Sequence, residues 1–361
     1  MKKYLLACTA AFILLPCIPL RSQEAEEQDG SIALTIVPRL DLDATFTGEG
    51  TGFGLGASSL YSLLEGDITD WLSFSVCNHW LSSSPADLYR IEGEGANFFR
   101  SDWTNWVDWA YLTFNLGNIS ISAGKDVITT GAFEFDENDW DLHPALMSGL
   151  WNNLACYQWG GKVTWTNDSE NTGVSLQYTA SPYGECPFAD GPILGSTLSL
   201  EWRGEYGPYR NIWSLTALGA MAAGVEGGTP PLPLVACLGN RLDLGDFTLG
   251  FDWYSKSGSA NSIFNEGSTF LASVEYAPSD KWNFLVKGGR EMADWSETAM
   301  LPEGGMEYSF KRGENWFGGA SVHWFPVENL RLHAAAGYSS FLKSTTATIG
   351  LLYYLNFNFG R

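Results

Sequence analysis

The sequence predicts an all-β fold, a transmembrane antiparallel up-and-down β-barrel of about sixteen strands, and three observations carry that prediction. Apolar residues recur at every second position in segment after segment, and the connections between segments alternate between short and long. Beyond the first two dozen residues no run of about 20 apolar residues occurs that could cross a bilayer as a helix. A chain that spans a membrane without helices must close its sheet, because lipid offers no partner to an open strand edge.

The N-terminus reads as an export signal. Met1, Lys2 and Lys3 precede an apolar run from Tyr4 to Leu20, which ends at Arg21-Ser22-Gln23 and a cluster of glutamates. That charged, apolar, polar order predicts a signal peptide over residues 1–22 and a mature barrel over 23–361. Leu5-Leu6-Ala7-Cys8 looks like a lipoprotein cleavage site, but cutting there leaves an apolar region of about four residues, shorter than such signals use.

The C-terminal segment shows the strand period best. Ile349, Leu351, Tyr353, Leu355, Phe357 and Phe359 alternate with Thr348, Gly350, Leu352, Tyr354, Asn356 and Asn358. The same dyads run from Leu330 to Ser339, Trp316 to Trp324, Phe270 to Tyr276 and Phe247 to Tyr254. Others run from Leu198 to Arg203, Val174 to Thr179, Trp159 to Trp165, Ala110 to Leu116, Leu72 to His79 and Leu34 to Ala44. One such strand would suit a soluble sandwich equally well; the repetition, and the spacing of the turns, do not.

Short turns are predicted at Gly66 to Asp70, Leu116 to Asn118, Asn167 to Asn171, Gly204 to Pro208, Asp243 to Asp246, Pro278 to Asp280 and Pro326 to Asn329. Between them lie Ala86 to Thr104, Val127 to Asn153, Pro182 to Leu194, Gly224 to Pro231, Ser257 to Gly267 and Met292 to Glu314. Short periplasmic turns opposite longer extracellular loops are the outer-membrane pattern, with both termini periplasmic. Trp71, Trp202, Tyr276, Trp282 and Trp324 fall near strand ends, where an aromatic girdle belongs.

Charge excludes one class of partner. Three of the 20 basic residues lie in the leader and none of the 41 acids does, so the mature chain carries 17 bases against 41 acids and no nucleic acid is an expected partner. Cys77, Cys156, Cys186 and Cys237 remain after cleavage, and three pairings are open to them. If the apolar faces meet outer-membrane lipid, the opposite faces line the lumen. They place Arg39, Lys162, Arg203, Arg241, Lys256, Lys287 and Arg331 there, with Asp252 and other acids in near balance, which predicts a wet wall of low selectivity.

The connection after Gly124 is the most distinctive. It runs Gly124-Lys125-Asp126-Val127-Ile128-Thr129-Thr130-Gly131-Ala132-Phe133-Glu134-Phe135-Asp136-Glu137-Asn138-Asp139-Trp140-Asp141-Leu142-His143-Pro144, too long for a hairpin and rich in acids and aromatics. Lys125, Glu134, Asp136, Glu137, Asp139, Asp141 and His143 are its candidate functional residues, and folding inward would set them in a pore constriction favouring cations. No cofactor is expected. The carboxylates could instead hold Ca²⁺, but their spacing lacks the glycine an EF-hand loop needs at its sixth position. Trp103, Trp106, Trp109, Trp140 and Trp151 offer either loop packing or flat faces for sugar rings.

With its amphipathic strands and export signal, this Gly-Lys followed by an aromatic and acidic loop resembles the phosphate-selective porin O/P-like superfamily. The resemblance implies a sixteen-stranded homotrimeric porin with a third extracellular loop folded inward. The chain differs in lacking a dense basic ladder and in ending Phe359-Gly360-Arg361.

Catalytic motifs are sparse: there is no Gly-x-Ser-x-Gly and no His-Glu-x-x-His, and Ser340-Phe341-Leu342-Lys343 lacks the companions a Ser-x-x-Lys enzyme needs. The expectation is therefore a non-enzymatic diffusion channel for small hydrophilic solutes in the cell outer membrane. A barrel enzyme assembled from distant strands, or a barrel plugged by its loops in a structural or adhesive role, stands as the alternative.

Overall fold

The computed structural model describes residues 31–82, 107–148, 151, 157–180, 196–220, 234–257, 268–292, 297–300, 306–309 and 314–359. The predicted signal peptide and the remaining residues of the long connections lie outside these residues.

Twenty strands alternate along the described chain. The first eight are β1 (Ile32–Thr47), β2 (Gly50–Gly54), β3 (Ser59–Thr69), β4 (Leu72–Ser82), β5 (Val107–Leu116), β6 (Ile119–Val127), β7 (Tyr157–Thr166) and β8 (Thr172–Ala180). Then come β9 (Ser196–Tyr206), β10 (Tyr209–Ala220), β11 (Leu234–Leu244), β12 (Phe247–Ser257), β13 (Ser268–Ser279) and β14 (Trp282–Glu291). The last six are β15 (Glu297–Met300), β16 (Met306–Ser309), β17 (Asn315–Val327), β18 (Leu330–Ser339), β19 (Ser344–Tyr353) and β20 (Leu355–Phe359).

Sixteen of these positions close a single antiparallel barrel. Each strand pairs with the next, β2 only lengthens the hairpin above β1, β15 and β16 form a separate hairpin, and β19 and β20 together make the last stave. Closure falls on β1, which pairs with β3 on one side, Arg39 opposite Ser59, and with β19 and β20 on the other, Asp41 opposite Gly350 and Ile32 opposite Phe359. All seven predicted short turns stand at one end of the barrel, together with both ends of the strand series. They are tight because the chain supplies turn chemistry there. Gly245 between β11 and β12 has φ 72°, a conformation that a side chain disfavours.

Side chains sort by parity. On β12, Phe247, Leu249 and Phe251 are exposed while Asp252 and Tyr254 are buried, and on β13 Phe270 is exposed beside buried Leu271. At the short-turn end the outward aromatics stack around the rim: Trp71 with Phe114, Phe247 with Tyr276, and Trp282 with both Phe284 and Trp324, centroids 4.5–5.9 Å apart. The inner face is drier than its sequence suggested. Val37, Tyr61, Leu63, Cys77 and Leu352 form one inward apolar cluster with Trp140, and Val235, Cys237, Tyr254, Leu271 and Phe317 form another with Ala132. Cys77 and Cys237 are buried free thiols, and Cys156 and Cys186 lie outside the described residues.

Candidate functional site: the β6–β7 loop against the inner wall

The loop leaves β6 under close guidance. Gln177 of β8 donates its side-chain amide to Val127 O (2.7 Å) and accepts from Thr129 N (2.8 Å), acting as one more rung of the ladder. Thr216 and Ser214 of β10 then donate to the carbonyls of Thr129 (2.7 Å) and Thr130 (2.5 Å). At Gly131 and Ala132 the chain turns through φ 72° and 70°, and a Cβ on Gly131 would lie inside the Ser214 side chain, so only glycine fits. Two wall glycines admit the loop closely. A Cβ on Gly239 would come within 2.7 Å of Ala132 Cα, and one on Gly337 would meet the Ala145 carbonyl.

Beyond this turn the loop coils through three single-turn 3-10 helices, Phe133–Phe135, Asp139–Asp141 and Pro144–Leu146. Each acidic stretch meets a base from a different strand. Glu134, fully buried, accepts from Lys287 of β14 (2.8 Å) and from Ser148 N (2.8 Å) and Ser148 Oγ (2.5 Å). Asp136 pairs with Arg203 of β9 (2.5 Å), which also holds Glu201 (2.5 Å). Glu137 pairs with Arg241 of β11 (3.3 Å), and that guanidinium lies 4.8 Å over the Phe133 ring. Asp141 accepts from Arg331 of β18 (2.7 Å) and the Tyr354 hydroxyl (2.6 Å). Arg39 of β1 donates to the carbonyls of Trp140 (2.9 Å) and Leu142 (2.6 Å) and is itself held by Asp41 (2.7 Å). A second arginine, Arg331, donates to the same Trp140 carbonyl (3.0 Å).

Asp139 is different. Among the described residues it takes only the Tyr157 hydroxyl (3.1 Å), and burial, reinforced by the charge of Asp108, pushes its carboxyl up to about 7. Burial also raises Glu137, against the pull of Arg241 and Lys287. His143 closes the series with its Nε2 2.9 Å from His323 Nε2, and its ring lies 5.1 Å from that of His333. Burial, the facing His323 and the two nearby guanidinium groups hold His143 well below the ordinary imidazole range.

The predicted residues are thus distributed as follows. Glu134, Asp136, Glu137, Asp141 and His143 come together with Arg39, Arg203, Arg241, Lys287, Arg331 and Asp252, the last accepting from Glu134 N at 3.3 Å. Lys162 of β7 pairs with Asp126 of β6 (2.6 Å). Lys125 is not a loop residue: it lies within β6, where its Nζ donates to Val107 O, because the strand continues to Val127. Lys256 occupies the register position opposite Val235 on β12. The near balance of charge on the wall predicts a wet lumen of low selectivity, with its charges solvated. Much of it is instead pairing between wall and loop. Of the carboxylates weighed as calcium ligands, Glu134, Asp136, Glu137 and Asp141 face bases, and among the described residues no three His, Cys, Asp or Glu side chains converge to hold a metal ion. Sequence reasoning passed over Gln177, Ser214, Thr216, His323 and Tyr354. Their inward parity was the available signal.

No protein-family profile and no curated protein sequence matches the chain, so the resemblance to the phosphate-selective porins is not carried to the family level. Solved structures do match in fold. The anion-selective porin from Comamonas acidovorans superposes with a TM-score of 0.59 at 10% identity, over 91% of this chain and 100% of that one. The outer membrane channel DcaP of Acinetobacter baumannii gives 0.58 at 10% identity, over 93% and 100%. The trimer form of OmpT, an outer membrane protein of Vibrio cholerae, gives 0.54 at 12% identity, over 90% and 99%. The chain shares the closed barrel fold of these outer-membrane proteins.

Proposed function

We propose that this chain is an outer-membrane porin, exported by its N-terminal signal, that lets small hydrophilic solutes diffuse through a passage narrowed by the β6–β7 loop and performs no catalysis. The observation that carries the reading is the division of the barrel into an apolar outer face and an inner face whose bases engage the loop's acids from β9, β11, β14 and β18. A loop held from strands around the ring sets the width available to solutes. In this reading the chain assembles as a homotrimer, and OmpT, an outer membrane protein of the same fold, has a trimer form.

The second reading is a barrel plugged by this loop, and the two apolar clusters inside the lumen favour it. Conductance in planar bilayers separates the two. The porin reading requires steady single-channel steps from the refolded full chain and larger steps after deletion of Phe133 to Leu142. A silent wild-type barrel that conducts only after the deletion supports the plug.

A further inference from the structure

The loop's ion pairs run to β9, β11, β14 and β18, and a cleft remains between its first half and strands β3 to β9. The cleft has a volume of about 70 Å³, enough for roughly five waters.

Two features of its lining are chemically specific. Trp109, Tyr111 and Tyr157 from the wall and Phe135 from the loop give it flat aromatic sides, with Trp109 and Tyr157 centroids 5.9 Å apart. Its charge is also one-sided. Among the described residues, the lining carboxylates are Glu65, Asp126, Asp136, Glu137 and Glu201, against only Lys162 and Arg203. Both bases already hold carboxylates of the cleft, Lys162 on Asp126 and Arg203 on Glu201 and Asp136. Counting Arg241 against Glu137 still leaves two negative charges in excess. Glu65 is half-buried at one side of that excess: among the described residues it has no basic partner within ion-pair distance and accepts only from the Ser75 hydroxyl (3.0 Å), which in turn accepts from Trp109 Nε1 (2.8 Å). The carboxylate and the indole are therefore fixed beside one another by one serine.

We infer that this cleft is a binding station for small organic cations carrying an aromatic ring, with Glu65 taking the ammonium and Trp109, Tyr111 and Tyr157 the ring. An aromatic face attracts a cation and stacks on a flat apolar body, and low-dielectric walls focus the field of the carboxylates onto the passage. An aromatic carboxylate fits the same walls but meets repulsion.

This rests on the channel reading above, and the test separates the two. The full chain in planar bilayers is bathed in benzylammonium chloride on one side and sodium benzoate in a matched experiment, and reversal potentials give each permeability relative to the small counter-ion. Benzylammonium should pass about tenfold more readily than benzoate, and at millimolar concentration should interrupt potassium current, which methylammonium should not. Glu65→Gln should lower the benzylammonium-to-benzoate ratio several-fold, and Trp109→Leu should shorten the interruptions without changing the sign of selectivity. A silent bilayer would reject the channel reading itself. An open channel that passes benzoate as well as benzylammonium overturns the inference, as does a Glu65→Gln channel with an unchanged ratio. If either variant fails to fold, the wild-type ratio and the comparison with methylammonium decide the matter.

Discussion

His143 of the β6–β7 loop and His323 of β17 meet nitrogen to nitrogen, Nε2 to Nε2 at 2.9 Å, so one ring donates and the other accepts. Two protonated rings cannot share that contact. His333, Arg39 and Arg331 stand around the same spot, from β18 and β1, and Asp41 of β1 is bound to His333 (2.8 Å).

The first prediction follows from that contact. His143 in the seated loop is held well below the ordinary range by burial and by its positively charged neighbours, whereas a released loop would bind a proton near pH 6.5. The released state binds more protons, so the contribution of His143 to seating is complete above about pH 6.5 and is lost as pH falls below it. Conductance and protease access to the loop should both rise between pH 7 and 5, and His143→Gln should abolish the rise. An acid transition that survives in His143→Gln would assign it to another group.

Asp139 has the opposite sign. Its carboxyl titrates at about 7 when seated and near 3.9 when released, so the seated loop binds the extra proton and Asp139 opposes seating progressively as pH rises between those values. Its negative charge enters the lumen only as pH passes about 7. Potassium-over-chloride preference should therefore increase between pH 6 and 8, and Asp139→Asn should flatten that increase. Equal slopes in the two proteins would place the titrating group elsewhere.

The Glu134–Lys287 pair should govern seating more than barrel stability. Lys287→Met leaves a buried carboxylate without its cation, a change that typically costs about 3–5 kcal/mol, while replacing both partners is far milder. The single variant should show noisy, enlarged conductance with an unchanged unfolding midpoint on unboiled gels. Lys287→Met with Glu134→Gln should restore quiet channels; if the double variant is as noisy as the single, the buried charge is not the cause.

Facing gives the fourth prediction. Phe251 is exposed on the outer face of β12, where Arg costs about 2–4 kcal/mol at the bilayer midplane. Phe251→Arg should depress folding yield into lipid vesicles, whereas Glu275→Gln on the inner face of β13 should not. Equal yields would mean that the outer face does not meet lipid.

The strands and their turns were legible because each depends on nearby residues: Phe247 to Tyr254 reports its two faces unaided, and the turn at Asp243 to Asp246 contains the glycine that makes it. The pairing inside the lumen was not. Asp136 and Arg203 are 67 residues apart, and Asp141 and Arg331 are 190 apart, so only the curvature of the closed sheet brings them together. One clue to a drier interior was on the page: Val37, Leu63, Leu271 and Phe317 have inward parity, and apolar residues there imply something to bury against. The occupant, Trp140 with its neighbours, could not be read from local pattern.

The Trp140 carbonyl accepts from Arg39 of the first strand and Arg331 of β18, which flank the seam where the ends of the chain meet. Those two donors converge on one oxygen only when β19 lies between β18 and β1. The oxygen thus works as a latch whose completion records that the ring has shut. In the order of assembly, the last contacts of the loop belong after the zipping of the sheet, and a barrel caught half-zipped would leave one of its arginines with an empty hand.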